Sequence, residues 1–225
     1  MSGSRISPPA TIPPTTIAAD YAAWGIEISL GCLTATVAVG EGGAGLDAAM
    51  AAVLEAAPDG IAGLPAIAAT RRAYKAGGKD PSRYRPSAEA LLRRLRQGKG
   101  LYRVNNVVDV TNMVSIASGF SIGMYDQARL DGPLTLRPAA EGETYAAIGR
   151  GPINLAGLPV LCDAAGPFGC PTSDSERTAI NTGTTAILMV IFDFGVAHEL
   201  PAALGQAVAW IAEHCAGRDI EECLL

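Results

Sequence analysis

Histidine is scarce in this chain of 225 residues, aromatic residues make up 5% of it, and no apolar run is long. Each shortage excludes something. His198 and His214 are the only histidines, and both fall late in the chain, where they read as surface residues rather than catalytic bases. With so few rings, binding single strands by stacking base after base is disfavoured. No stretch approaches the ~18–20 apolar residues of a membrane-spanning helix. The first residues, MSGSRISPPATIPPTT, lack the apolar core of a secretory leader and read as a disordered or extended tail over residues 1–16. The five cysteines (Cys32, Cys162, Cys170, Cys215, Cys223) are odd in number and form no CxxC pair or Cys/His cluster. That pattern favours reduced thiols and a cytoplasmic location, with no metal site. Cys170 is the one candidate for a reactive thiol, with inert packing as the plainer reading. Glu41–Gly45 is glycine-rich but no GK[ST] follows, so it reads as a turn and not a phosphate loop.

What is present is uneven. Residues 71–103 hold eleven Lys or Arg against Asp80 and Glu89, a local charge of +9 in a chain whose net charge is −5. A positive segment on an acidic protein points to an anionic partner such as RNA phosphate, or else to two helices with solvated basic faces. Pro86 and Gly98 bracket a helix with Leu91, Leu92 and Leu95 as its apolar stripe. Arg83, Arg85, Arg93, Arg94, Arg96 and Lys99 are the candidate RNA contacts. The spacing of Val107, Val110, Val114 and Ala117 predicts a second helix over 106–118, with Thr111, Asn112 and Ser115 beside the stripe. Such side chains compete for backbone partners inside helices, so their grouping invites either a specific task or bonds to neighbouring loops. Residues 119–126 read as a lead into the turn at Asp131-Gly132.

Elsewhere the pattern predicts a strand over 24–39, helices over 46–57 and 64–75, and a helix stop at Pro58-Asp59-Gly60. Short strands follow at 134–137, 144–148, 153–155 and 159–163, punctuated by DG, EG, GRG and AG, in the manner of an antiparallel meander or small barrel. A longer apolar strand is expected over 184–194 and a terminal amphipathic helix over 199–216. The fold class implied is α+β, a twisted antiparallel sheet or sandwich with a layer of flanking helices. Length suits one domain over 17–225.

The segments DPSRYRPSAEALLRRL, RVNNVVDVTNMVS and, further on, SDSERTAINTGTTAILMVIF resemble the tRNA-editing module of the phenylalanyl-tRNA synthetase beta subunit, formed by its third and fourth domains. The likeness spans residues 61–192 and is closest to free-standing relatives of that module. In the synthetase the module hydrolyses the ester that joins tRNA to a wrongly attached tyrosine. The resemblance therefore implies an aminoacyl-ester hydrolase with tRNA as partner and no cofactor, catalysing by positioning a water rather than by a Ser/His/Asp triad or a metal. An ester of this kind is already activated, so positioning and a few oriented donors supply much of the rate. Thr111 and Asn112 match the family's site-lining pair. Gly123 stands where the family has a histidine. The acidic residue that reads the tyrosine hydroxyl aligns with Arg177 without gaps, or with Glu176 or Asp174 across a short gap, and Thr178 adjoins them. Without the adenylate-forming parts, the chain is not expected to charge tRNA. Two other readings stay open: a non-catalytic RNA- or tRNA-binding module, and a pocket for a small amino-acid-like ligand in which Arg177 clamps a carboxylate.

Overall fold

The computed structural model describes residues 11–58 and 60–225. In chain order it contains β1 (Thr15–Ile17), β2 (Ser29–Thr36), α1 (Ala44–Glu55), α2 (Pro65–Ala76), α3 (Ser87–Arg96), α4 (Asn106–Ser118) and β3 (Ser121–Asp126). Then come β4 (Leu134–Pro138), β5 (Thr144–Ala147), β6 (Gly151–Asn154), β7 (Pro159–Asp163), β8 (Gly166–Cys170) and β9 (Ser173–Asp174). The series closes with β10 (Ala186–Asp193), α5 (Leu200–His214) and β11 (Arg218–Leu224). The first ten residues of the expected tail, and Asp59 of the expected helix stop, lie outside the described residues.

β10 reads AILMVIFD, an apolar run too short for a helix and too apolar for an exposed strand. It becomes the centre of an antiparallel sheet ordered β11-β2-β10-β3, with both neighbours in unbroken register. Ile187 to Phe192 are almost fully buried, each contributing about 1.5–3 kcal/mol of hydrophobic stabilisation. A second sheet runs β1-β4-β7-β8-β9, antiparallel except that β1 pairs parallel with β4. β5 and β6 form a separate hairpin. One core cluster joins Leu134, Leu136, Leu161 and Phe168 of the second sheet to the first sheet and to α4 and α5.

The helices form where local chemistry permits. Pro65 opens α2, where its missing N–H costs nothing. α4 starts at Asn105, whose side chain accepts from the Val108 N–H at 2.9 Å, and ends at Gly119 in the left-handed region (φ 76°). Buried Asn106 then fixes the helix in place. Its amide donates to the Ala38 and His214 carbonyls and accepts from the Gly40 N–H, all within 3.0 Å.

Three expectations change. The strand expected over 24–39 is shorter, because Ala19–Trp24 winds into a 3-10 helix capped by Gly25 (φ 63°). Residues 121–126, read as approach to a turn, are the fully buried strand β3, where Gly123 hid the strand pattern. The helix expected to finish the chain is followed by β11, a polar edge strand whose exposed face gave no apolar alternation. No helix among the described residues is long and apolar enough to cross a membrane.

Candidate functional site

α4 sends Val108, Thr111 and Asn112 from one face, at the 3 and 4 spacing of a helix. They meet Ile122 and Met124, alternate residues of β3, across a cavity of about 270 Å³. The β8–β9 turn closes another side with Cys170, Ser173 and Asp174, and Ala179 and Ile180 follow it. Ser87, Val104 and Ile148 complete the rim. Backbone bonds hold these walls together: the Ser87 N–H donates to Pro171 O (2.8 Å) and the Ile148 N–H to Asp174 O (3.0 Å). Asp126, at the end of β3, braces the loop beyond. Its carboxylate accepts from the Thr184 hydroxyl at 2.9 Å and from the Asn181 amide at 3.4 Å.

Thr111, Asn112 and Asp174 thus line one cavity although 62 residues separate the last two in sequence. Thr111 spends its hydroxyl on the Val107 carbonyl (2.9 Å). The Asn112 amide keeps no hydrogen-bond partner among the described residues, so its donors and acceptor are available to a ligand. Asp174 is half-buried as a residue, yet its Oδ1 is inaccessible to solvent and has no partner. Its Oδ2 accepts only a long bond from the Met124 N–H, 3.3 Å. Burial without a cation pushes this carboxyl up to about 7, with the Tyr125 hydroxyl and the Met124 N–H pulling weakly the other way. Cys170 lines the cavity too, but burial raises its thiol above the ordinary range and its Sγ points at Ser173 O (3.2 Å), so it is held as a thiol and not a thiolate.

The other expected residues lie elsewhere. Gly123 sits behind the wall and not on it. A Cβ there would fall 1.8 Å from the Tyr125 hydroxyl. Glu176 is exposed. Arg177 turns away from the cavity and grips Asp163 with two bonds of 2.8 and 3.0 Å, while also donating to Arg129 O and Gly166 O. Burial alone would raise the Asp163 carboxyl, but Arg177 and two backbone N–H groups outweigh it and hold it below its usual range. The carboxylate clamp expected of Arg177 is therefore already filled by a carboxylate of the chain itself. Thr178 is buried and reaches only Ser175 O, at 3.5 Å. His198 is exposed, but His214, expected at the surface, tucks its imidazole against the protein with 5% of the side chain accessible.

The basic segment is less free than its count implies. Glu89, 1% exposed, sits among three guanidinium groups: Arg71 at 2.9 Å, Arg93 at 2.8 Å and Arg85 at 3.8 Å. Arg103 pairs with Asp109 (2.7 Å) and Asp47. The Arg94 guanidinium lies over the Tyr102 ring, 3.7 Å from its centroid, and donates to Lys99 O. Arg83, Arg96 and Lys99 are exposed. The ring under the Arg94 guanidinium lies two residues before Val104, which is on the cavity rim. Tyr102 is 69% exposed, and Val104 (61%) and Ile148 (47%) are exposed apolar residues lining the cavity. Sequence reading missed Tyr125 and this apolar rim. Glycines at 123 and 169 were the signal for the first, and bare hydrophobic residues in a basic loop for the second.

The B3/4 domain family matches residues 69–216. Among curated proteins, the phenylalanine–tRNA ligase beta subunits of Brucella abortus, Brucella suis and Brucella melitensis are each 37% identical over 83 residues, which is 36% of this chain and 10% of theirs. The chain thus matches about a tenth of the length of these relatives. Among solved structures, an N-terminal fragment of the phenylalanyl-tRNA synthetase beta subunit from Pyrococcus horikoshii superposes with a TM-score of 0.56 at 11% identity, over 98% of this chain and 56% of that one.

Proposed function

Because this chain belongs to the B3/4 domain family, we propose that it is an editing-type tRNA-binding module that hydrolyses the ester of a mischarged aminoacyl-tRNA. The observation that carries this reading is the convergence of Thr111, Asn112 and Asp174 on one cavity whose rim carries the exposed Val104, in the loop that follows the basic helix α3. The acyl group enters the cavity and the RNA end rests on the rim. Water attacks the ester carbonyl, the acyl–oxygen bond breaks, and the ribose hydroxyl leaves with a proton. The Asn112 amide holds the carbonyl or the attacking water, and a fixed donor of this kind adds no reorganisation at the moment of reaction. Asp174 offers its carboxyl, short of partners, to a donor on the acyl side chain. A polar partner of this sort discriminates far better than an apolar wall.

The test is deacylation of a panel of mischarged tRNAs, including tyrosylated tRNA for phenylalanine, by wild type and Asn112→Ala. The expected result is hydrolysis above buffer that the substitution lowers by about 10²-fold. No hydrolysis of any member by wild type would overturn the proposal. A second reading, a non-catalytic tRNA-binding module, is favoured by one observation: glycine occupies position 123, and no histidine lines the cavity among the described residues. It is separated by salt-titrated binding of uncharged tRNA. Neutralising Arg93, Arg94 and Arg96 then lowers the salt slope by roughly one for each phosphate that no longer meets a cation.

A further inference from the structure

Two glycines far apart in sequence face the same atom. An ideal Cβ on Gly123 would lie 1.8 Å from the Tyr125 hydroxyl, and one on Gly169 would lie 2.1 Å from it. Neither glycine needs its conformational freedom there, since neither has a positive φ. What both positions require is the missing side chain. Through this gap the Tyr125 ring passes, edge-on to Phe168 with centroids 4.8 Å apart. Gly169 pairs with Asp174 across β8 and β9, so the phenol arrives beside that carboxyl. Both the Tyr125 hydroxyl and Asp174 Oδ1 are buried and lack a hydrogen bond of good geometry. Native proteins rarely leave two such groups unmatched side by side without a use for them.

We infer that Tyr125 is a positioning residue of the cavity: its hydroxyl takes the space a side chain at position 123 would need, and from there it orients the Asp174 carboxyl toward the ligand. The inference rests on the proposed function only for what the cavity holds; the pair itself stands on geometry. The titratable groups facing Asp174 are Tyr125 on β3, Cys170 on β8 and Tyr145 on β5, and all three are neutral at physiological pH because burial raises each. Among the described residues no cation contributes to the setting of Asp174. The phenol is thus the side chain that can tell the ionised carboxylate from the acid. Its hydroxyl, buried beside the carboxyl, is placed to turn its O–H to the ionised form, leaving the remaining lone pairs for a ligand donor such as an ammonium or hydroxyl group. Once the carboxyl is protonated, its own O–H becomes available and the cavity presents a donor instead. The class of ligand group accepted therefore changes across neutral pH.

The experiment is a carboxyl ¹³C NMR titration of the intact protein, wild type and Tyr125→Phe, with Asp174→Asn used to assign the resonance. Asp174 is expected to titrate near 7 in the wild type. Loss of the phenol donor moves that midpoint up by about one unit, as removal of a hydrogen bond to the charged form should. The ring carbon that bears the Tyr125 hydroxyl is expected to shift with the same midpoint in unsubstituted protein, so the reading survives a variant that fails to fold. A midpoint that moves by less than about 0.2 units in Tyr125→Phe, or an Asp174 that titrates like an ordinary carboxylate near 4, overturns the inference. No RNA or substrate is present, so this outcome is independent of whether the protein hydrolyses any ester. If it does, the pH midpoint of hydrolysis moves in the same direction in Tyr125→Phe.

Discussion

Glu89 and Asp174 both bring a carboxyl out of water, and the chain treats them in opposite ways. Glu89, in the first turn of α3, has Arg71 of α2, Arg85 and Arg93 around it. Asp174, in the cavity wall, has a phenol, a thiol and a weak backbone donor, and no cation. Charge neutralisation is thus lavish where the carboxyl only joins two helices and withheld where it borders an empty space. A buried carboxyl saturated with partners is a structural fixture. One left short of them is the kind of perturbed group that gathers at functional sites.

The sharpest way to break this comparison is to remove the charge from Asp174. A raised folded-state value means that the folded protein keeps a proton that the unfolded chain has released between about pH 4 and pH 7. Stability is therefore undiminished below that window and falls as pH rises through it. Asp174→Asn escapes that fall. Its stability should match wild type near pH 4 and exceed it by roughly 3–4 kcal/mol at pH 8, as read by urea unfolding at a series of pH values. Equal pH profiles for the two proteins would mean that the carboxyl is not held out of water at all.

The opposite sign is expected at the other carboxyl. Glu89→Gln leaves three guanidinium groups facing one another across a buried amide. Breaking a fully buried pair costs about 3–5 kcal/mol, but these arginines are 28–48% exposed and can turn outward, so about 2 kcal/mol is the expected loss. The same unfolding experiment reads it. An effect of similar size is expected at Gly123→Ala. The new methyl collides with the Tyr125 hydroxyl (1.8 Å) and with its ring carbons Cζ (2.4 Å) and Cε2 (2.9 Å) and costs about 1–3 kcal/mol, of which only the share due to the hydroxyl returns in the double variant with Tyr125→Phe. Additive losses would show that the hydroxyl is not what the glycine accommodates.

How much of this could be read from the sequence follows the range of the forces involved. α4 emerges with the expected bounds because its period, its Asn105 cap and its Gly119 stop are all local signals. Thr111 and Asn112 were legible for the same reason: they sit at set positions on that helix. β3 and β11 were not, since one carries a glycine at its centre and the other has no apolar face to alternate. Choosing among Asp174, Glu176 and Arg177 needed the β8–β9 pairing, which turns the first inward and sends the third to Asp163. The role of Gly123 was out of reach altogether. In one dimension it reads as a missing histidine. Only when β8 comes alongside β3 does Gly169 appear opposite it, with a phenol between them.

The two sheets also set a timetable. β1 finds its partner β4 across 118 residues, and β2 must wait for β10 and β11 from the far end of the chain. Until those late strands exist, the early ones have no ladder to join, and α4 lacks the His214 carbonyl that Asn106 binds. Pairings of such long range slow folding. The cavity takes one wall from α4 and another from the β8–β9 turn, so it closes only once segments about 60 residues apart have come together.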